Sequence, residues 1–464
     1  MTQLADSGIG DLRRTFEGPV LGPDDTEYDD ARRLWNAAID RRPAVIARCR
    51  SAADVSRAVL FARAHGLEIA VRGGAHNPGG SSSVDDGLMI DLSLMDDVTV
   101  DPAAKLARVG GGALLSKLDA AAQEHGLATP AGMVSHTGVG GLTLGGGMGW
   151  LTRKFGLSID NLESVQIVTA DGQLRRAAED ENPDLFWAVR GGGGNFGVVT
   201  EFEFRLHEVA PMVSFGLAFW ELDQGTDVLR MAREVMAKLP EELNIVVAAV
   251  NAPPAPFVPA EYHFRPGYAL IVVGFGTAEE HARTMAEIRS TLPPLFEFES
   301  PMPYVALQQL LDEANGWGMH AYDKGFYLDE FTDDAIEVIT AQVPLKQSPG
   351  SVALFYRLDN GYSAVADDAT AFSGSRAPGW AGFIVAVCPV PELLEHDRAW
   401  VRSFWDAMVP VSRGQGMYVN AISDLDVDDR VRASYGPKYD RLAAIKTTYD
   451  PDNIFHRNAN IKPA

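Results

Sequence analysis

Val71-Arg-Gly-Gly-Ala-His-Asn-Pro-Gly-Gly80 is the stretch on which the interpretation of this chain turns. It follows Leu67-Glu-Ile-Ala-Val71, an apolar run with the length and composition of a short buried strand. Four glycines in ten residues strip side chains from the turn and admit positive φ. Backbone N–H groups in such a turn can converge on an anion such as a phosphate. Arg72 adds a fixed cation and His76 a reactive imidazole, so the loop suits a diphosphate with a reactive group close by.

Outward from that loop, the order strand (43–49), helix (Ser51 as N-cap, ending at Gly66), strand (67–71) describes a small α/β unit. Upstream, Ala31, Leu34, Trp35 and Ala38 stand at helical spacing over Asp29–Ile39, and residues 1–25 form a loose polar lead-in. Downstream come a strand at Leu88–Leu92, a hairpin of 98–100 with 106–109, and a helix from about Leu114 to Glu124. A second glycine-rich region runs from Gly132 to Gly149, and a third from Gly191 to Gly194. Between them Asp171-Gly172 predicts a type I′ hairpin turn, and Asn182-Pro183 opens a short helix. None of the glycine clusters has the Gly-x-Gly-x-x-Gly or Gly-x-x-x-x-Gly-Lys-Ser/Thr pattern in its strand–helix setting, which argues against a Rossmann site and a nucleotide-hydrolysing loop. From about 211 to 410 glycine clusters vanish and strands alternate with helices, as in a second domain with a sheet covered on one face.

At 464 residues the chain exceeds one ordinary core, so two domains are expected. The formal net charge of -23 argues against nucleic acid and anionic membrane surfaces as partners. Cys49 and Cys388, each in an apolar segment, are expected as buried free thiols, with no metal site. Met-Thr-Gln-Leu-Ala-Asp lacks a signal pattern, and no apolar span reaches membrane length, so the expectation is a cytoplasmic protein.

Three glycine clusters, one strand-following His and a Tyr/Asn-rich tail are best explained by one extended, diphosphate-bearing cofactor lying along several loops. Arg72-Gly-Gly-Ala-His76, Gly138-Val-Gly-Gly141 with Gly145-Gly-Gly-Met-Gly149, Asp184-Leu-Phe-Trp-Ala-Val-Arg-Gly-Gly-Gly193 and Asn195-Phe-Gly-Val-Val199 resemble the FAD-binding domain of the vanillyl-alcohol oxidase superfamily. Tyr418-Val-Asn420, Tyr435-Gly436, Tyr439-Asp-Arg-Leu442 and Tyr449-Asp-Pro-Asp-Asn453 resemble the C-terminal signature of its berberine-bridge-enzyme-like branch. The resemblance runs from about residue 20 to 463 and implies an α+β fold. Its parts are a two-lobed FAD-binding domain of the PCMH type (26–210), an α/β substrate domain with a mainly antiparallel sheet (211–410) and a C-terminal segment returning to the FAD domain (411–464).

The same resemblance implies FAD bonded covalently through its 8α-methyl to His76. Arg72, Gly73, Gly74, Ala75, His76 and Asn77 fall at the diphosphate, and Gly80 is a further cofactor-binding position. Val134, Thr137, Gly138, Gly141, Leu142, Gly145, Gly147 and Val199 fall along the flavin and adenine, with Tyr418 and Asn420 approaching from the tail. Many members form a second flavin bond through a Cys where this chain has Val134, which implies a single link here. Many also carry a Tyr where this chain has Ala421. Tyr418 and Tyr435 are then the first candidates for the base, and His136 is a candidate polar group of the pocket. The implied activity is oxidation of a C–OH or C–N bond of a small aromatic or secondary-metabolite substrate, with dioxygen as acceptor. Val134, Thr137 and Leu142 also match a subgroup of flavin-N5-oxide oxygenases, which makes natural-product oxygenation an alternative. Because of Ala421, a non-catalytic flavin-binding protein is a third.

Overall fold

The computed structural model describes residues 6–414, 416–422 and 428–464. Besides a two-stranded ribbon of Leu127–Ala128 with His207–Glu208, the first part of the chain builds two sheets. In the smaller, the strands run in the order Val20–Leu21, Val45–Arg48, Leu88–Asp91, Ile69–Arg72, and the last three are mutually parallel. The crossover helix Ala52–His65 starts where Ser51 accepts the N–H of Asp54 and stops at Gly66, whose φ of 63° only a residue without Cβ adopts cheaply. The parallel strands deliver Arg72 opposite Asp91, and the glycine loop leaves from that end. Asp91 is buried and accepts from Arg48, Arg72 and the N–H of Ser93, which fixes the point of departure.

The second sheet is antiparallel, in the order Val98–Asp101, Leu106–Gly110, Val198–Arg205, Leu162–Val168, Leu174–Ala178. The third has seven strands, all antiparallel: Phe296–Pro303, Met212–Glu221, Pro266–Gly274, Leu243–Asn251, Val352–Leu358, Gly379–Cys388, His320–Leu328. Its two faces separate by the two-residue period of a strand. Ala218, Trp220, Ile245, Val247, Leu270 and Val272 share one core with residues of the helices Gly225–Ala237, Ala278–Thr291, Asp333–Gln342 and Pro391–Met408. Phe215, Leu217, Phe219, Val246, Ala248 and Ile271 pack on the opposite face with Met133, Trp150 and Leu151 from the first part of the chain. The α+β architecture and the antiparallel seven-stranded sheet of the later part of the chain agree with the sequence expectation.

Three local expectations fail for identifiable reasons. Residues 6–21 are no loose lead-in: Asp6–Thr15 is a helix whose Ile9 and Leu12 join the core under the Ala52–His65 helix, and Val20–Leu21 pairs with the strand beside it. The first five residues lie outside the described ones. The helix expected over Asp29–Ile39 is only Tyr28–Ala31. Beyond it tertiary bonds win: the N–H of Trp35 donates to the Ala75 carbonyl, and Asn36 Nδ2 donates to the carbonyls of Pro78 and Ala321. At Asp171-Gly172 only Gly172 has positive φ, 74°, whereas a type I′ turn needs two such residues. The loop closes instead by Gly172 N–H to Thr169 O, with Thr169 Oγ1 donating to Asp171. Cys49 and Cys388 are buried and free. No helix among the described residues is long and apolar enough to cross a membrane.

Candidate active site

The glycine loops of the first part, the inner face of the seven-stranded sheet and the tail enclose one cavity of about 1040 Å³. Its floor is backbone. Gly73 and Gly74 meet Gly138 so closely that a Cβ on Gly74 would lie 2.2 Å from the Gly138 nitrogen. Gly141 has no atom within 4 Å of where its Cβ would be and therefore faces open space. Cβ-free loops of this kind let a planar or anionic group approach the main chain. Its roof is the sheet: Phe215, Leu217, Val246, Ala248, Leu354 and Val385 point down, with the hydroxyl-bearing Tyr356 and the carboxyl of Asp323 among them.

His76 sits on the cavity wall and is held from two sides. Trp35 stacks on its ring at 4.4 Å between centroids and 16° between planes. Its Nε2 lies 3.1 Å from Nδ1 of His136 in a hydrogen bond. Trp35 is itself anchored through Nε1 to the Asn315 carbonyl at 2.6 Å. Burial, with the neighbouring His136 adding to it, pulls the His76 pKa down to about 3, so the imidazole is neutral and keeps a lone pair at physiological pH. Ala75 just before it has φ of 56°, a left-handed conformation uncommon outside glycine that turns the loop under the ring.

The tail clips onto the second glycine loop. Tyr418 Oη accepts the Gly147 N–H at 2.8 Å and Asn420 Nδ2 at 2.9 Å, and the same Asn420 amide donates to the Leu142 carbonyl at 2.9 Å. Burial pushes the Tyr418 phenol up to about 12 despite these two donors. Tyr435 also touches the cavity, but its hydroxyl donates to the Gly191 carbonyl, and burial raises its pKa as well. Phe383 stands edge-on to both Tyr418 and Tyr356 and spaces them apart.

The sequence-derived residues divide in two. Gly73, Gly74, Ala75, His76, Asn77, Val134, Thr137, Gly138, Gly141, Leu142, Val199, Tyr418, Asn420 and Tyr435 line the cavity together. Arg72, Gly80, His136, Gly145 and Gly147 stand behind its wall. Arg72 pairs with Asp91 at 3.4 Å, Gly80 turns the loop with φ of 69° against Ile39, and Gly145 leaves room for Asn420. Of the second-domain aromatics that the sequence offers for an aromatic ligand, Trp317, Tyr322, Tyr327, Phe355 and Tyr356, only Tyr356 is on the cavity wall. Sequence reasoning passed over Trp35, Asn36 and Asp323: the first two were hidden in an apparently helical pattern, and the third looks like ordinary alternation in a strand.

Buried polar atoms lacking a partner among the described residues adjoin this hollow: Arg72 Nε, His136 Nε2 and Asn458 Oδ1. Together with the glycine floor and the neutral imidazole they fit a long ligand with a diphosphate and a flat ring system. Comparison with known proteins shows the family to which such a cofactor belongs. Residues 43–178 match the model of an FAD binding domain, and residues 417–462 the model described as berberine and berberine like. The chain is 34% identical to (R)-6-hydroxynicotine oxidase of Paenarthrobacter nicotinovorans over 97% of both chains. It is 31% identical to an FAD-linked oxidoreductase of Dictyostelium discoideum over 98% of this chain and 97% of that one. The crystal structure of 6-hydroxy-D-nicotine oxidase from Arthrobacter nicotinovorans superposes with a TM-score of 0.83 at 28% identity, covering 97% of this chain and 99% of that one. That of Physcomitrella patens BBE-like 1 gives 0.87 at 22% identity over 98% and 99%, a likeness of fold. The chain thus belongs to the berberine-bridge-enzyme-like FAD-linked oxidoreductases of the vanillyl-alcohol oxidase superfamily.

Proposed function

We propose that this enzyme is an oxidase whose FAD is attached through the His76 imidazole alone, and that it oxidises a C–OH or C–N bond of a small, largely apolar substrate with dioxygen as acceptor. Residues 26–210 and 411–464 hold the cofactor in this reading, and 211–410 hold the substrate. The observation that carries it is His76: a half-buried, neutral imidazole on the cavity wall, stacked on Trp35 and bonded through Nε2 to His136. With Nε2 engaged, Nδ1 is the ring nitrogen left for the flavin. Val134, where a thiol would be needed for a second link, has none to offer.

When bound, FAD supplies the hydride-accepting ring. The chain's own residues supply the rest. The loop from Gly73 to Asn77 and the backbone at Gly138 and Gly141 cradle the diphosphate and ring, and Val199 and Asn458 hold the far end. The Tyr418 phenol stays protonated at rest and presents its hydroxyl to the substrate's oxygen or nitrogen. To act as base it would first give that proton to solvent; the Gly147 and Asn420 donors already in place stabilise the resulting phenolate, which then takes the proton from the substrate's oxygen or nitrogen. The apolar roof excludes water from the reacting carbon.

The oxygenase alternative draws support from Val134, Thr137 and Leu142, small or apolar side chains that line the same cavity. One experiment separates the two. Yellow protein is mixed without air with a panel of ring-bearing alcohols and amines, bleaching is followed, and labelled dioxygen is readmitted. The oxidase reading requires peroxide equal to the flavin bleached. Label in the organic product without peroxide would replace it by the oxygenase.

A further inference from the structure

The roof of the cavity has a direction as well as an area. Three neighbouring strands, Leu243–Asn251, Val352–Leu358 and Gly379–Cys388, run side by side across it. Leu354 stands opposite Ala248 on one side and Phe383 on the other, and one step outward Val352 stands opposite Val385. All five side chains line the cavity. Phe383 marks the inner end, because its ring lies 5.9 Å from that of Tyr418 and edge-on to it. At the outer end Gly350 and Pro389 carry the lining on, and Pro349, Pro389 and Phe264 are exposed there. From Phe383 to Pro389 the strip runs about 20 Å, at about 3.3 Å for each residue.

This strip is apolar surface left uncovered. On the far face of the same strands Ala353, Phe355, Ile384 and Ala386 share a core with the helices and are exposed by 1% or less. On the cavity face Val352, Leu354, Phe383 and Val385 are only half-buried, although both strands lie inside the sheet and not at its edge. Hydrocarbon held open to water in a hollow gains by taking up an apolar ligand. The strip has little to offer a polar one. Ladder bonds to the adjoining strands occupy its backbone N–H and C=O groups. Tyr356, next inward from Leu354 and edge-on to Phe383, puts a hydroxyl at the Tyr418 end. Asn251, which accepts from Lys346, and Asp323, opposite Val385, stand at the borders.

We propose that the substrate carries an elongated hydrocarbon arm, with its reacting carbon at the Tyr418 end and the arm lying along Phe383, Leu354, Val385 and Val352 toward the mouth. The inference rests on the oxidase reading above and adds the shape of the substrate to it. One step between like-facing residues is about 7 Å, enough for a single ring, and the strip has about three such steps. A compact substrate leaves the outer steps wet. A long polyhydroxylated chain is disfavoured as well, because its hydroxyls would be buried against hydrocarbon without partners.

The test uses neutral, non-substrate probes that differ only in length: 4-ethyl-, 4-butyl-, 4-hexyl- and 4-octylbenzamide. Each is titrated calorimetrically into flavin-loaded protein, below the concentration at which it self-associates. Affinity should rise by about two- to fourfold for each added methylene through the octyl member, the upper figure being that of one fully buried CH2. Leu354→Trp fills the middle of the strip, so the ethyl member should bind within about threefold of wild type while the gain beyond it disappears. Val352→Thr, nearly the same in shape, should weaken the octyl member by about three- to tenfold and the ethyl member by less than about twofold. An affinity that stops rising at the butyl member overturns the proposal, as does a rise that both variants leave unchanged. If Leu354→Trp fails to fold, the wild-type series and Val352→Thr decide. A flat series in yellow protein defeats this inference only, whereas protein that holds no flavin defeats the functional reading beneath it as well.

Discussion

Lys446 ties the tail to the glycine loops, and replacing it with Met should loosen both. Its Nζ, fully buried, donates to the carbonyls of Asn195 at 2.6 Å and Phe455 at 3.0 Å and to Asp450 Oδ2 at 2.5 Å. Asp450 in turn accepts the N–H groups of Ile454 and Phe455, each at 2.9 Å. Lys446→Met keeps the stem and deletes the charge, leaving one buried carboxylate without its cation, the Asn195 carbonyl without this donor, and the Phe455 carbonyl with only the 3.3 Å bond from Asn458 Nδ2. Breaking a buried pair from one side costs about 3–5 kcal/mol, most of it from the orphaned charge. The double variant Lys446→Met/Asp450→Asn removes that charge and should recover roughly 1–2 kcal/mol. Urea unfolding followed by flavin fluorescence and far-ultraviolet circular dichroism reads both values. Because Asn195 and Phe455 flank the cavity, the flavin signal should change at lower urea than the backbone signal. A loss below about 1 kcal/mol, with no recovery in the double variant, would refute the assignment of this network as the tail's anchor.

Three further outcomes follow from the geometry. Gly74→Ala places a Cβ 2.2 Å from the Gly138 nitrogen, so the two loops must part; the variant should fold by circular dichroism yet retain little flavin by absorbance. Tyr418→Phe strips the Gly147 and Asn420 donors of their shared acceptor and should slow anaerobic flavin reduction by about 10²–10⁴-fold, read by stopped-flow. A reduction rate within tenfold of wild type would make the phenol a structural group only. The Asp119 carboxyl, buried beside Gln308, is pushed by burial from 3.8 to about 7. The folded protein therefore keeps a proton that the unfolded chain has lost. Wild type should lose stability relative to Asp119→Asn as the pH rises from about 4 to 7, and hold that deficit above it. Unfolding midpoints measured across that range check the sign, and a gap independent of pH would contradict it.

The parts of this molecule legible in the sequence are those that local chemistry dictates. Ser51 and Gly66 bracket a helix because a hydroxyl cap and a left-handed glycine act within a few residues. Glycine clusters announced the cavity floor because close backbone approach leaves no room for Cβ. What escaped depends on distant partners. Trp35 has helical spacing, yet it stacks on His76 and hangs from Asn315, 280 residues away. Asp323 looks like a polar residue on a strand until the fold shows that its face of the strand is the roof of the cavity and not the solvent side. His136 stood in the sequence as a candidate pocket group, and only the fold pairs it with His76 across 60 positions.

The central claim is the bond between His76 and the flavin, and a peptide mass measures it directly. Protein purified in the dark is precipitated with acid, digested and mapped for yellow peptides. The account predicts that the colour stays in the pellet and that one peptide, containing His76, is heavier by the mass of FAD, with His76→Ala yielding none. Flavin recovered intact in the acid supernatant, or attached at any other residue, would contradict it.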